Sequence, residues 1–310
     1  MLEALDLKKQ FMKTKAVDGV NLFIEQGEIV GLLGPNGAGK STTISIISSL
    51  LSPTSGDVRF FNESIIKQPQ YLRKHLGVVP QEIALYENLT AMENLQFFGK
   101  IYRLSSDVMS TKIKEVLEII GLQEKQHDLV KTFSGGMKRR LNIGVALLHE
   151  PKLIFMDEPT VGIDPQSRKY ILDTVKRLNR EQNLTILYTS HYMEEAEYLC
   201  DRIYIMDQGH IIASGNKNEI KGILSAEQTV VIEVETMEET FLNTLKDHPS
   251  VRQIDNQDKS VSVIVPREID FFQTIINIAN ENGTILKSVQ IQPPSLEDVF
   301  LHLTGKGLRD

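Results

Sequence analysis

Cysteine is almost missing from these 310 residues. Cys200 stands alone, so no intramolecular disulfide can form. It lies in EYLCDRI at a helix end, where it reads as a small buried hydrophobe. A surplus of positive charge is missing too. The formal net charge of −7 excludes an overall basic field for a nucleic-acid backbone, so no nucleic-acid partner is expected. Long apolar runs are absent: none approaches the ~18–20 residues a helix needs to cross a bilayer. If the protein works at a membrane, another chain does the crossing. The start, MLEALDLKKQ, is charged rather than signal-like, which with the lone cysteine favours a reducing cytosol. Tandem repeats, low-complexity tracts and heptad runs are lacking as well.

What is present is a globular composition, 41% hydrophobic and 24% charged, in a length suited to one large domain or two ordinary ones. Over roughly the first 220 residues, short apolar strands alternate with helices: GEIVGLLG then STTISIISSLL, LGVVP, LIFMDEP, and TILYTSH then MEEAEYLCD. Uninterrupted apolar strands separated by helices imply a parallel sheet covered on both faces. CDRIYIMDQGHIIASG instead alternates around a glycine turn, as a hairpin does. Residues 82–130 lack such a strand and read as a helical insertion. From about Ala226 the order becomes β-α-β-β-α-β, the ferredoxin-like arrangement, closed by a short helix in PPSLEDVFLHLTG. The fold class expected is therefore α/β, a mostly parallel sheet with antiparallel β elements and a helical insertion over 1–224. A small α+β ferredoxin-like domain follows over 225–310.

The chemistry gathers where strands end. GPNGAGKS, Gly34 to Ser41, matches the phosphate loop: Gly34 and Gly39 let backbone N–H groups wrap phosphate oxygens, Lys40 adds a point charge, and Ser41 offers a hydroxyl to Mg²⁺. LIFMDEP leaves Asp157 and Glu158 at the carboxyl end of an apolar strand, where open parallel sheets bind ligands. Asp157 there can hold Mg²⁺ directly or through water, and Glu158 can polarise a water toward a γ-phosphate. Gln81, after LGVVP, can reach Mg²⁺ or the attacking water, and His191, after TILYTS, can donate to a γ-phosphate. A second anion cradle sits in KTFSGGMKRRL, where Ser134, Gly135 and Gly136 precede a helical run with Leu141, Val145 and Leu148 on one face. Lys138, Arg139 and Arg140 then read as a solvated first turn, although cations at a helix start oppose its dipole.

In this order the motifs GPNGAGKS, VVPQ, FSGGM, LIFMDEPT, VGID and TSH resemble the nucleotide-binding subunits of ABC transporters, over roughly Leu2 to Gly215. LLGPNGAGKST with the C-terminal PPSLEDVF is similar to the drug-resistance and ABC-2-type exporter ATPases. The resemblance implies a P-loop ATPase that binds ATP and Mg²⁺. It implies two subunits paired head to tail, each ATP lying between the phosphate loop of one and the signature of the other, so that the second cradle serves the partner's nucleotide. The partners implied are a second ATP-binding subunit, with a homodimer sufficient, and an integral membrane permease. The latter would hold the chain peripherally at the cytoplasmic face of the membrane.

Carried over by residue, Asn36, Gly37, Gly39, Lys40, Ser41 and Thr42 would bind phosphates. Ser41, Gln81 and Asp157 would serve Mg²⁺. Glu158 would be the general base, with Gln81 and His191 assisting. Ser134, Gly135, Gly136 and Asp164 would act across the dimer, and Phe11 aligns with the aromatic that stacks on adenine. Phe133, Met137 and Val161 depart from the usual pattern, yet the three residues that make the signature's phosphate contacts are kept. A soluble ABC-type ATPase with a non-transport partner, or a binding module with a dead site, would be the competing functions. The single phosphate loop without a coiled coil argues against the first, and intact Lys40, Asp157, Glu158 and His191 against the second.

Overall fold

The computed structural model describes residues 1–190, 192–224, 226–292 and 294–305. Two compact units divide the chain, the first Met1–Asn216 and the second from Lys217 onward.

The first unit opens with a hairpin of β1 (Leu2–Phe11) and β2 (Thr14–Ile24), followed by β3 (Ile29–Leu33) and α1 (Lys40–Ile47). Next come β4 (Ser55–Phe60), β5 (Glu63–Ser64), α2 (Pro69–Arg73) and β6 (Leu76–Val79). The helical insertion supplies α3 (Ala91–Ile101) and α4 (Ser106–Ile119). Then follow α5 (Gly135–Leu147), β7 (Leu153–Met156), α6 (Pro165–Gln182), β8 (Thr185–Thr189), α7 (Met193–Leu199) and the hairpin of β9 (Arg202–Asp207) and β10 (His210–Gly215).

One sheet has the order β10-β9-β3-β8-β7-β6, parallel except for β10. Every residue of β3, β7 and β8 is buried, which is why these strands read as unbroken apolar runs. A second, antiparallel sheet has the order β2-β1-β4-β5. Leu7, Val20 and Phe60 of this sheet share one apolar core with Val30, Leu32, Phe155 and Leu187 of the first and Ile46 of α1. Each such side chain contributes roughly 1.5–3 kcal/mol on burial. The parallel order brings the carboxyl ends of β3, β6, β7 and β8 to one edge, and the loops that leave them carry the polar motifs.

The insertion is anchored locally by a capping box: Glu93 N–H donates to Thr90 Oγ1 at 3.1 Å, and Thr90 N–H to Glu93 Oε2 at 2.8 Å. Helix α5 differs from the one-faced expectation. Leu141 through Leu147 are all buried, because α3, α4, α6 and β6 pack around it. Cys200 is fully buried at the end of α7 and faces Gly31, whose missing Cβ would stand 2.9 Å from its sulfur.

The second unit begins with α8 (Lys217–Gly222) and continues β11 (Glu227–Val234), α9 (Glu239–Lys246), β12 (Gln253–Gln257), β13 (Ser260–Pro266), α10 (Phe272–Glu281), β14 (Leu286–Gln292) and α11 (Leu296–Thr304). Its antiparallel sheet has the order β12-β13-β11-β14, the ferredoxin-like topology. Val230, Ile232, Phe241, Val263, Phe271 and Ile275 fill its own core. The Ser295 cap of α11 is reciprocated by Asp298, whose Oδ2 also accepts from Thr229 Oγ1 at 2.9 Å.

Candidate functional site

The turn from β3 into α1 is closely backed by neighbouring backbone at two of its glycines. A Cβ on Gly34 would stand 2.2 Å from the Met206 carbonyl oxygen, and one on Gly39 would stand 2.3 Å from that of Ala16. Gly39 has φ +103°, the left-handed region, and caps α1 with backbone alone. The loop therefore encloses a cavity of about 230 Å³ lined by Ala16, Asn36, Gly37, Ala38, Gly39, Lys40, Ser41, Thr42, Gln81 and Glu158. Lys40 is 6% exposed and its Nζ donates to the carbonyls of Gly34 at 2.7 Å and Pro35 at 3.0 Å. Burial pulls its pKa below the ordinary lysine value, while Glu158 and Asp157 oppose that shift. A cation held there by two neutral carbonyls, at the start of a helix, is a site for phosphate oxygens.

The opposite wall comes from the segments that leave β6 and β7, braced by β8. Residue Glu158 is 6% exposed with φ 47°, a backbone conformation rare outside glycine. Its Oε2 accepts from Gln81 Nε2 at 3.0 Å. Its backbone N–H donates to Thr189 Oγ1 at 2.9 Å, and that hydroxyl donates to Asp157 Oδ1 at 2.8 Å. Thr189, fully buried at the end of β8, thus orients both acids at once. A strained carboxylate held by over-determined contacts is what a reacting group needs. The oxygen donors here are the hydroxyl of Ser41, the amide of Gln81 and the carboxylate of Asp157. Among the described residues no cluster of His, Cys, Asp or Glu could hold a metal ion by itself. That donor set suits Mg²⁺, which is commonly held by one or two carboxylates together with substrate phosphates.

Other sequence-predicted residues lie apart from this cavity. Ser134 caps α5, its Oγ accepting from Met137 N–H at 3.2 Å. Gly135 and Gly136 form the first turn, and a Cβ on Gly136 would strike Ser167 Oγ at 2.2 Å. Asp164 caps α6 through Ser167 N–H at 2.9 Å, and this bond lowers its pKa. Phe11 ends β1, 47% exposed, with Lys9 Nζ 5.3 Å from its ring centre. Its hairpin supplies Ala16 to the cavity wall. His191 lies outside the described residues. The first turn of α5 is not solvated as expected. Arg139 is 3% exposed, and Lys138 and Arg140 are engaged with other segments of the chain, Lys138 with Glu87 and Arg140 with backbone carbonyls at the end of α4.

A model of the ABC transporter family matches residues 17–161. The linearmycin resistance ATP-binding protein LnrL of Bacillus subtilis is 46% identical over the full length of both chains. The chain is an ATP-binding subunit of the ABC transporter family. The daunorubicin resistance ATP-binding protein DrrA3 of Streptomyces coeruleorubidus is 33% identical over 97% of this chain and 95% of its own. Among solved structures, the dimeric ATP-binding cassette MJ0796 in a post-hydrolysis state with ADP and Pi superposes with a TM-score of 0.64. The identity is 28%, over 70% of this chain and 98% of that one. The ABC subunit is an ATPase, and its relatives include drug-resistance ATP-binding proteins.

Three partners in this ABC site were not assigned to it from sequence. Thr189 is a polar residue inside a buried strand, a signal that could have marked it. Buried Glu195 gathers the hydroxyls of Thr160 at 2.9 Å, Tyr188 at 2.8 Å and Ser190 at 2.6 Å, bracing the segments that follow β7 and β8. Arg139 is the third.

Proposed function

We propose that two copies of this chain close around two ATP molecules and thereby drive an integral membrane permease, exporting a small molecule. The observation that carries the pairing is the separation of the two cradles. The phosphate-loop cavity has no lining residue from the Ser134–Gly136 signature, whose glycines stand instead against Ile163 and Ser167. A chain with two separate half-sites can use both when a second copy supplies the complement. The dimeric state named for the similar cassette supports this, and the resistance functions named for the relatives support outward transport.

Within each site, the loop N–H groups and Lys40 bind the β- and γ-phosphates, with Asn36, Gly37 and Thr42 completing the cradle. Ser41, Gln81 and Asp157 hold Mg²⁺, which neutralises developing phosphate charge when bound. Gln81 orients a water against Glu158. The carboxylate takes the water's proton as its oxygen bonds to the γ-phosphorus and the bond to the bridging oxygen of ADP breaks. Phe11 stacks on adenine, His191 contacts the γ-phosphate, and Asp164 stands at the dimer contact. Among the described residues no helix is long and apolar enough to cross a membrane, so attachment to the cytoplasmic face rests with the permease.

Full-length Glu158→Gln protein, examined by light scattering, is expected to shift from monomer to dimer only with Mg-ATP. A monomer in both states, with ATP bound, would refute the homodimer. The permease is proposed to dock on the insertion. Tyr86 and Phe97 stack edge to face at 4.6 Å while 49% and 38% exposed, and buried Asn94 pins the Tyr86 backbone in both directions. Alanine at Tyr86, Leu89 and Phe97 should release the chain from membranes of the producing cell while leaving its ATP affinity unchanged. Retained membrane recruitment would remove the docking assignment.

A further inference from the structure

The Lys138–Arg140 run has no part in the chemistry above, yet each of its cations is committed. Lys138 pairs with Glu87. Arg140 Nη1 donates to the carbonyls of Ile120 at 3.1 Å and Gly121 at 3.2 Å, its guanidinium 4.7 Å from the Tyr170 ring centre. Arg139 sends Nη1 to the Pro80 carbonyl and Nη2 to the Gln81 carbonyl, both at 2.5 Å. All three reach from the N-terminal half of the signature helix to the segment between β6 and α5, which begins with Pro80 and Gln81.

Arg139 is the costly member. It is 3% exposed, among the described residues no carboxylate forms an ion pair with it, although the Asp157 charge favours its protonated form, and its Nε is buried without a hydrogen-bond partner. A guanidinium taken out of water with no carboxylate in direct contact is unfavourable, and so is a buried N–H left without an acceptor. A leucine would anchor the helix without either cost. What arginine alone offers is a rigid planar fork that can grip two successive carbonyls. Those carbonyls belong to the two residues that carry Gln81 to Glu158, where the side chains meet at 3.0 Å.

We propose that Arg139 is a positioning residue for ATP hydrolysis: its fork fixes the Pro80–Gln81 backbone so that Gln81 engages Glu158, and it ties that contact to the helix capped by Ser134. The signature that reads one nucleotide and the glutamine that serves the other are then parts of one rigid connection. The proposal rests on the assignment of Gln81 and Glu158 to hydrolysis made above.

The test is a double-mutant cycle on the full-length chain, reading kcat, KM and the Kd of a fluorescent ATP analogue. Arg139→Lys keeps the charge and loses the fork. It should lower kcat by about 10- to 100-fold, as misplacement of a reacting group does, with Kd changed by less than about twofold. Gln81→Ala should lower kcat similarly, and the double variant should be no slower than Gln81→Ala alone. Multiplying losses, an unchanged kcat for Arg139→Lys, or a weakened Kd would each overturn the positioning role. If Arg139→Lys does not fold, Arg139→Gln, which keeps one amide donor, enters the same cycle with the same outcomes. An unchanged kcat for Gln81→Ala would instead remove the assignment of Gln81, and this proposal with it.

Discussion

Glu158→Gln protein will bind ATP with wild-type affinity and hydrolyse it about 10²–10⁴-fold more slowly, the range that general-base catalysis contributes. The substitution keeps the shape of the side chain. An amide oxygen can still accept from Gln81 Nε2, as the carboxylate does at 3.0 Å. The backbone stays where Thr189 holds it, and the left-handed conformation at φ 47° is no worse for glutamine than for glutamate. Only the basicity is lost. Lys40 also loses one of the two carboxylates that oppose the effect of burial on its pKa, but its carbonyl partners at Gly34 and Pro35 remain. Single-turnover hydrolysis measured beside a nucleotide titration separates the two effects. A rate within about tenfold of wild type would mean that another group takes the water's proton.

Much of this site could be read before any coordinates, because its logic is local. A phosphate loop needs its glycines, lysine and serine in one short run, and the acids sit directly after an apolar strand. The buried parallel strands and the βαββαβ order showed through for the same reason, since continuous apolar runs and alternating elements are patterns within a few residues. What stayed hidden depends on partners distant in sequence. Thr189 reaches Asp157 only because β7 and β8 pair in parallel, with Met156 beside Tyr188, a register that neither strand states alone. Arg139 looked solvated because cations in a first turn usually are, and its two carbonyl partners lie across the whole insertion. The all-round burial of α5 likewise comes from four packed elements, whereas its sequence showed one apolar stripe.

The second large effect is expected inside the phosphate loop, in the contrast between Gly39 and Gly37. Gly39→Ala should unfold at lower denaturant and lose at least about 100-fold in nucleotide affinity, while Gly37→Ala, whose backbone N–H stays in the cradle, should lose much less of both. Both have left-handed backbones, φ +103° and +79°, so both variants meet the intrinsic penalty of roughly 1–2 kcal/mol for an L side chain there. Their surroundings differ. A Cβ on Gly37 has nothing within 4 Å, whereas one on Gly39 stands 2.3 Å from the Ala16 carbonyl oxygen and 2.7 Å from Met206 Cε. The methionine tip can swing away, but the β2 backbone is held by its pairing with β1. Overpacking adds about 1–3 kcal/mol, and the loop can relieve it only by moving away from β2. Such a movement drags the start of α1 with it, so Lys40, Ser41 and Thr42 leave their places together, and a shift of about 1 Å is enough for the expected loss. Urea unfolding and a fluorescent-nucleotide titration on both variants check this. Equal affinities would show that β2 yields to the methyl group, and that the cavity's shape is set by the loop itself rather than by the strand behind it.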